Sequence, residues 1–155
     1  MPLAEREAKD IDIAVAYTLD QAIQRVDRGA INVRNAVVVV DNLTNDTRGT
    51  KLRLSLTPEG LVRGLNQLLQ TLRAAGAKTI LTCQVKPMLI KDVKPYNKQL
   101  SDYLRGQGWG SEVPTQIRPG HLRPDGFHVR PQFHWIIDKA YADAILAASA
   151  PHDGR

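Results

Sequence analysis

Hydrophobic positions along the chain alternate between strand-like and helix-like spacing. Residues 11–17 (IDIAVAY) predict a short strand and residues 19–26 a helix. The clearest strand is residues 36–40 (AVVVV), because a β-branched run without polar alternation is typical of a strand covered on both faces. The run DNLTND (41–46) then predicts a loop, since it is rich in turn-forming residues.

The second half of the chain continues this alternation. Thr57 and Pro58 provide an N-cap and a first-turn proline for a helix with one leucine stripe, ending near Gly76. A strand is predicted over 78–85 and a helix over 96–105. The remaining elements are an irregular segment with one short strand over 109–131 and a final amphipathic helix beginning at Phe133.

This order predicts an α/β fold, a three-layer α/β/α sandwich with a mostly parallel sheet. Ligands in such sheets bind beyond the carboxyl ends of the strands. The loops 41–50, 86–95 and 118–130 should share that edge, which would bring Asn45 close to His128.

Length and composition predict one domain. The 155 residues, 43% of them hydrophobic, suit a single core over residues 11–148, with tails at 1–10 and 149–155. We expect an intracellular protein, cytoplasmic or organellar, without membrane contact, because the N-terminus is charged and no long apolar stretch is present. The single cysteine, Cys83, excludes an internal disulfide and is predicted to be a buried strand thiol.

The formal charge of +5 leaves two interpretations open. Arg118, Arg123 and Arg130 are candidate nucleic-acid-binding residues, because aromatic residues that could stack on bases lie nearby in the chain. These aromatic residues are Trp109, Phe127, Phe133 and Trp135. The alternative is a solvated basic face whose aromatics belong to the core or a protein interface.

No metal or cofactor is predicted. His121, His128 and His134 lie seven and six residues apart, which is not the spacing of a zinc site.

The run Asp125-Gly126-Phe127-His128 is the most chemically informative feature. An Asp three residues before a His can hold one imidazole nitrogen and leave the other free to take a proton from a nucleophile. The structural alternative is that Asp125 caps a helix or its own turn and that His128 is a partly buried imidazole.

These motifs resemble those of the SGNH hydrolases, the GDSL-type esterases and acylhydrolases, over residues 11–148. VVVVDNLTND is similar to the family's strand running into Gly-x-Asn-Asp, and PDGFHVRP to its Asp-x-x-His block. The resemblance implies an SGNH/flavodoxin-like sandwich with Asn45 in the oxyanion hole, His128 as base and Asp125 as its orienting acid.

The chain departs from the family at the nucleophile. No Gly-Asp-Ser block precedes Ile11, so the family's first strand is missing, and Leu43 replaces a glycine where its bulk should crowd the oxyanion. Other hydroxyls do not lie on a strand-to-helix elbow. These are Ser55, Ser101, Ser111, Ser149, Thr44 and Thr47.

Two functional hypotheses remain open from the sequence. The first is a non-catalytic SGNH-like binding or structural module, with a protein partner or self-association at the exposed sheet edge and a role in a larger, nucleoprotein assembly. The second is a serine esterase whose nucleophile strand lies outside this chain.

Overall fold

The computed structural model describes residues 14, 16–41, 43–50, 54–107 and 110–149. Helices and strands alternate along this part of the chain. Their bounds are α1 (Leu19–Asp27), β1 (Val37–Val40), α2 (Leu43–Arg48), α3 (Pro58–Ala74), β2 (Thr79–Cys83), α4 (Lys94–Arg105), β3 (Gly110–Val113) and α5 (His134–Ser149), with 3-10 turns at Pro119–His121 and Pro131–Phe133.

The described strands form one parallel sheet in the order β1-β2-β3. Val38 lies opposite Ile80, and Thr82 lies opposite Glu112. The predicted α/β class with a parallel sheet is therefore confirmed. Of the strand predicted over 11–17, residues 11–13 and 15 lie outside the described residues, and Tyr17 lies in a bend.

Helices cover both faces of the sheet, which is compatible with the predicted three-layer arrangement. Val38, Val40 and Ile80 face the main core, which includes residues of α1, α3 and α4. Leu81 and Cys83, whose side chains point to the opposite face because side chains alternate along a strand, pack against α5.

The leucine stripe of α3 is the centre of the main core. Its five leucines are at most 3% exposed, and they are Leu61, Leu65, Leu68, Leu69 and Leu72. Thr57 caps the helix as predicted, its hydroxyl accepting a hydrogen bond from Gly60 N at 3.0 Å. Cys83 is a buried strand thiol, which confirms that prediction.

One prediction around β1 is confirmed and one is wrong. β1 is covered on both faces, since Val38 and Val40 face the main core and Val37 and Val39 pack against the cluster that includes α5, although the first three valines are only half-buried. Residues 43–48 form the helix α2 rather than a loop. Leu43 is 2% exposed and Thr47 is buried, so two side chains one helical turn apart enter the core, and this packing overrides the turn propensity of the run.

The other boundaries differ only slightly from prediction. α4 begins at Lys94, two residues before the predicted start, because Asp92 Oδ1 accepts a hydrogen bond from Lys94 N at 3.0 Å. α5 begins at His134. Among the described residues, no helix combines the length and apolar character needed to cross a membrane.

Candidate functional site at the carboxyl edge of the sheet

Three segments meet beyond the carboxyl ends of β1 and β2, as predicted, although the one after β1 is the helix α2 rather than a loop. Leu89 N donates a hydrogen bond to Gly126 O at 2.8 Å, joining the loop after β2 to the loop that carries Asp125 and His128. From the segment after β1, the Arg48 guanidinium lies over the Phe127 ring, with Cζ 4.1 Å from the ring centroid. The edge thus collects the side chains that the sequence motifs single out.

The carboxylate of Asp125 is directed at the imidazole of His128. Asp125 Oδ2 lies 2.6 Å from His128 Nδ1. Asp125 Oδ1 accepts hydrogen bonds from the backbone N–H groups of Phe127 and His128, each at 3.0 Å. These two bonds first, and then His128, hold the pKa of Asp125 at about 2. Asp125 therefore both stabilises its own turn and orients the imidazole.

Gly126 makes this turn feasible. Its φ is +83°, a left-handed value that residues with a Cβ rarely adopt. A Cβ at this position would also lie 3.1 Å from the Cβ of Leu89. Glycine is needed here both for the backbone conformation and for the contact between the two loops.

The imidazole of His128 is open to solvent. Its side chain is 62% exposed, and the ring centroid lies 4.2 Å from that of Phe127. In the described part of the chain, Nε2 has no hydrogen-bond partner. With Nδ1 held by Asp125, Nε2 is the nitrogen available to accept a proton. The structural alternative, in which His128 is a partly buried imidazole, is therefore wrong.

Asn45 lies on the same edge, but its side chain is already engaged. Its Nδ2 donates to Tyr17 O at 3.0 Å, and its Oδ1 accepts from Arg48 Nη2 at 3.3 Å. The amide thus links α2 to the residues before α1. Asn45 and His128 are connected through Arg48 and the Phe127 ring rather than by direct hydrogen bonding.

The neighbours of Asn45 in the motif have structural positions. Leu43 points into the main core rather than over the edge, so the prediction that it crowds an oxyanion is wrong. Asp46 is 5% exposed and its Oδ2 accepts a hydrogen bond from Leu19 N at 2.9 Å. The Asp46 carboxylate thus satisfies the backbone N–H of the first residue of α1, which the helix itself leaves unpaired.

An ion pair that the sequence analysis missed lies between the first two strand ends. Lys86 Nζ is 2.6 Å from Asp41 Oδ1, and the two side chains are 15% and 21% exposed. Burial raises the pKa of Asp41, and Lys86 opposes this rise. Burial first, and then the charge of Asp41, raises the pKa of Cys83 to about 12, so its thiol is not a nucleophile at neutral pH. The available signal was that Asp41 directly follows the clearest strand and Lys86 directly follows the strand predicted over 78–85.

The three candidate nucleic-acid-binding arginines are exposed and belong to the loop that carries His128. Arg130 also stabilises this loop, because its Nε donates to Leu122 O at 2.8 Å. Of the interleaved aromatics, Trp135 is 61% exposed and Phe133 packs against His121, with ring centroids 4.6 Å apart. Trp109 lies outside the described residues.

Within the described residues, no group of three or more His, Cys, Asp or Glu side chains is arranged to hold a metal ion. Comparisons of the chain with protein-family models, curated proteins and solved structures give no match. The resemblance to the SGNH hydrolases therefore rests on the sequence motifs.

Proposed function

We propose that this chain is an SGNH-hydrolase-like α/β/α domain that acts as a non-catalytic binding module through the carboxyl edge of its sheet. One observation supports this most directly: a formed Asp125–His128 pair whose free imidazole nitrogen has no described nucleophile beside it. Among the described residues no hydroxyl is hydrogen-bonded to that nitrogen, so the edge has groups suited to binding and orienting a ligand but no positioned nucleophile.

Two groups that a hydrolase would use for catalysis are unavailable in this structure, and this supports the same conclusion. Asn45 Nδ2 donates to a backbone carbonyl, so the amide is committed to structure in the position where an oxyanion donor should be free. The buried thiol of Cys83 cannot serve as a substitute nucleophile, because its pKa of about 12 leaves it protonated. Without a nucleophile, an imidazole and its acid retain only a small part of hydrolase rate enhancement.

The second candidate is a serine esterase whose nucleophile is supplied from outside this chain. The 2.6 Å contact between Asp125 and His128 and the 62% exposure of the imidazole favour it. A serine hydroxyl would transfer its proton to Nε2 while its oxygen attacks the ester carbonyl. Nε2 would then return the proton to the leaving alcohol.

A covalent probe separates these functions. The purified chain is incubated with a fluorophosphonate probe and with short-chain nitrophenyl esters, alongside His128→Ala. We expect neither labelling nor turnover that depends on His128. An active serine esterase provides the positive control, and circular dichroism verifies that each sample is folded. Labelling of the chain, or turnover lost in His128→Ala, would contradict the non-catalytic function.

The proposal includes a polypeptide partner along β1, the outer strand of the described sheet, which is a different surface from the carboxyl edge. In the described sheet β1 pairs only with β2, and its first three valines are half-buried. An unpaired strand edge can accept another strand, from a partner protein or a second copy. Sedimentation velocity over a range of concentrations tests self-association. A monomer at all concentrations would leave a different protein as the partner.

Nucleic acid is the other proposed contact. Arg118, Arg123 and Arg130 lie exposed in one loop, which suits contact with a phosphate backbone. If they bind RNA, affinity should fall with rising salt, and replacing Arg118 and Arg123 with glutamine should reduce the salt dependence. Arg130 is retained in this variant because its Nε holds the loop. RNA binding that is unchanged by both substitutions would contradict this assignment.

A further inference from the structure

Arg48 and Lys91 are half-buried cations at the carboxyl edge, and neither forms an ion pair with a described carboxylate. Lys86 at the same edge differs, because it is paired with Asp41. Partial burial of a charge without a counter-ion costs free energy. Two such cations at one edge of a sheet are typical of a site that receives an anion.

Their contacts place both cations at the end of α2. Lys91 Nζ donates to Thr47 O at 2.8 Å, directly before Arg48 in the chain. The guanidinium of Arg48 is positioned by Asn45 Oδ1 and by the face of the Phe127 ring. Two consecutive residues also bury polar atoms that have no hydrogen-bond partner in the described part, namely Thr47 Oγ1 and Arg48 Nε. Within the described residues, the last turn of α2 therefore has two buried polar atoms with unsatisfied hydrogen-bonding capacity.

His128 belongs to the same cluster, since the Phe127 ring contacts both its imidazole, at 4.2 Å between ring centroids, and the Arg48 guanidinium, at 4.1 Å from Cζ to the ring centroid. The acid beside it, Asp125, is engaged by the imidazole and by two backbone N–H groups. The cluster therefore has more positive than negative groups. The three groups approach from three different segments, at the edge where ligands of parallel sheets bind.

We propose that Arg48, Lys91 and His128 bind a phosphate-type oxyanion, either inorganic phosphate or the terminal group of a phosphomonoester. Phosphate fits better than a planar carboxylate, because its tetrahedral oxygens can accept hydrogen bonds from three directions at once. This inference rests on the proposed function, since it names the ligand class of the same binding edge.

The test is an NMR titration of the full-length, isotope-labelled chain at constant ionic strength. Inorganic phosphate and phenyl phosphate are the two ligands, and acetate is the comparison anion. We expect saturable shifts around the three residues with phosphate ligands and much weaker effects with acetate. Tighter binding of phenyl phosphate would identify a phosphomonoester, and equal binding would identify free phosphate. Absence of saturation, or equal affinity for acetate, would overturn the proposal.

Substitutions make the test specific. Arg48→Gln and Lys91→Gln should each weaken phosphate binding about tenfold or more, because each removes a charged hydrogen bond. Arg48→Lys should retain more affinity than Arg48→Gln. The control is Lys139→Gln, an exposed lysine on α5 paired with Asp143, which should leave affinity unchanged. Equal affinity in Lys91→Gln and the control would refute the site, even if Arg48→Gln fails to fold.

The two proposals fail in distinguishable ways. If the chain binds no phosphate and also hydrolyses no ester, only the phosphate site is refuted. The cations would then serve only to stabilise the carbonyl end of α2. Hydrolysis of esters that depends on His128 would overturn the non-catalytic function, whatever the phosphate affinity.

Discussion

The ion pair between Asp41 and Lys86 allows a quantitative prediction about the edge that holds the site. Lys86→Met removes the ammonium and keeps most of the aliphatic side chain. The carboxylate of Asp41 then remains, 21% exposed, without its 2.6 Å partner. Because the pair joins the ends of β1 and β2, its loss affects both loops that build the edge.

The size of the effect follows from burial. An exposed pair contributes about 0–1 kcal/mol, whereas removing one partner of a buried pair costs about 3–5 kcal/mol. The side chains of this pair are 15% and 21% exposed, between these limits. We therefore expect Lys86→Met to lower the free energy of unfolding by about 2–3 kcal/mol at pH 8. In a domain of this size, that corresponds to a Tm lower by roughly 4–12 °C.

The loss should depend on pH with a definite sign. Burial raises the pKa of Asp41 and Lys86 lowers it, so removing Lys86 raises this pKa further. The folded state then binds a proton more tightly than the unfolded state does, and stability increases as pH falls through the raised pKa toward the unfolded value. The deficit of Lys86→Met should therefore be smaller at pH 5 than at pH 8.

Urea unfolding of both proteins at pH 5 and pH 8 measures this difference. The matched control is Lys139→Met, whose partner is Asp143 and whose pair is 66% and 62% exposed, and it should change stability by less than about 0.5 kcal/mol. The double variant Asp41→Asn/Lys86→Met should recover part of the loss, because no charge remains unpaired. A deficit below about 1 kcal/mol at pH 8, or one that does not change with pH, would refute the reasoning.

Three further predictions concern the site and the core. In an NMR pH titration, Asp125 should titrate near pH 2. His128→Ala should raise that midpoint only partly, because the two backbone N–H groups are the larger cause, and a return to the ordinary value would contradict this. Leu65 is 0% exposed and Leu54 is 92% exposed. Leu65→Ala should therefore lower the free energy of unfolding by about 2–5 kcal/mol, whereas Leu54→Ala should change it very little. Equal melting temperatures of the two variants would contradict the core assignment. Cys83 should react with a thiol reagent at neutral pH only after unfolding, so rapid modification of the native chain would be the contrary result.

The Asp125–His128 contact could be predicted from the sequence because it is local. A spacing of three residues with a glycine between them lets a carboxylate reach both the backbone N–H groups and the imidazole of one turn. The α3 stripe and its Thr57 cap were predictable for the same reason, since helix period and capping involve neighbours in the chain. The roles of His128 and Asn45 in function remain predictions.

The tertiary structure decided what each side chain contacts across the chain. The run after β1 has the composition of a loop, but burial of Leu43 and Thr47 makes it a helix, and this helix places Arg48 over Phe127. The pairing of Asp41 with Lys86 likewise joins residues that are far apart in sequence. By itself, the sequence determined the alternation of elements and the local turn around His128, because these depend on periodicity and short-range hydrogen bonds. Only the packing of the sheet decided which charges are paired at its carboxyl edge, since that depends on which loops the parallel strands bring together.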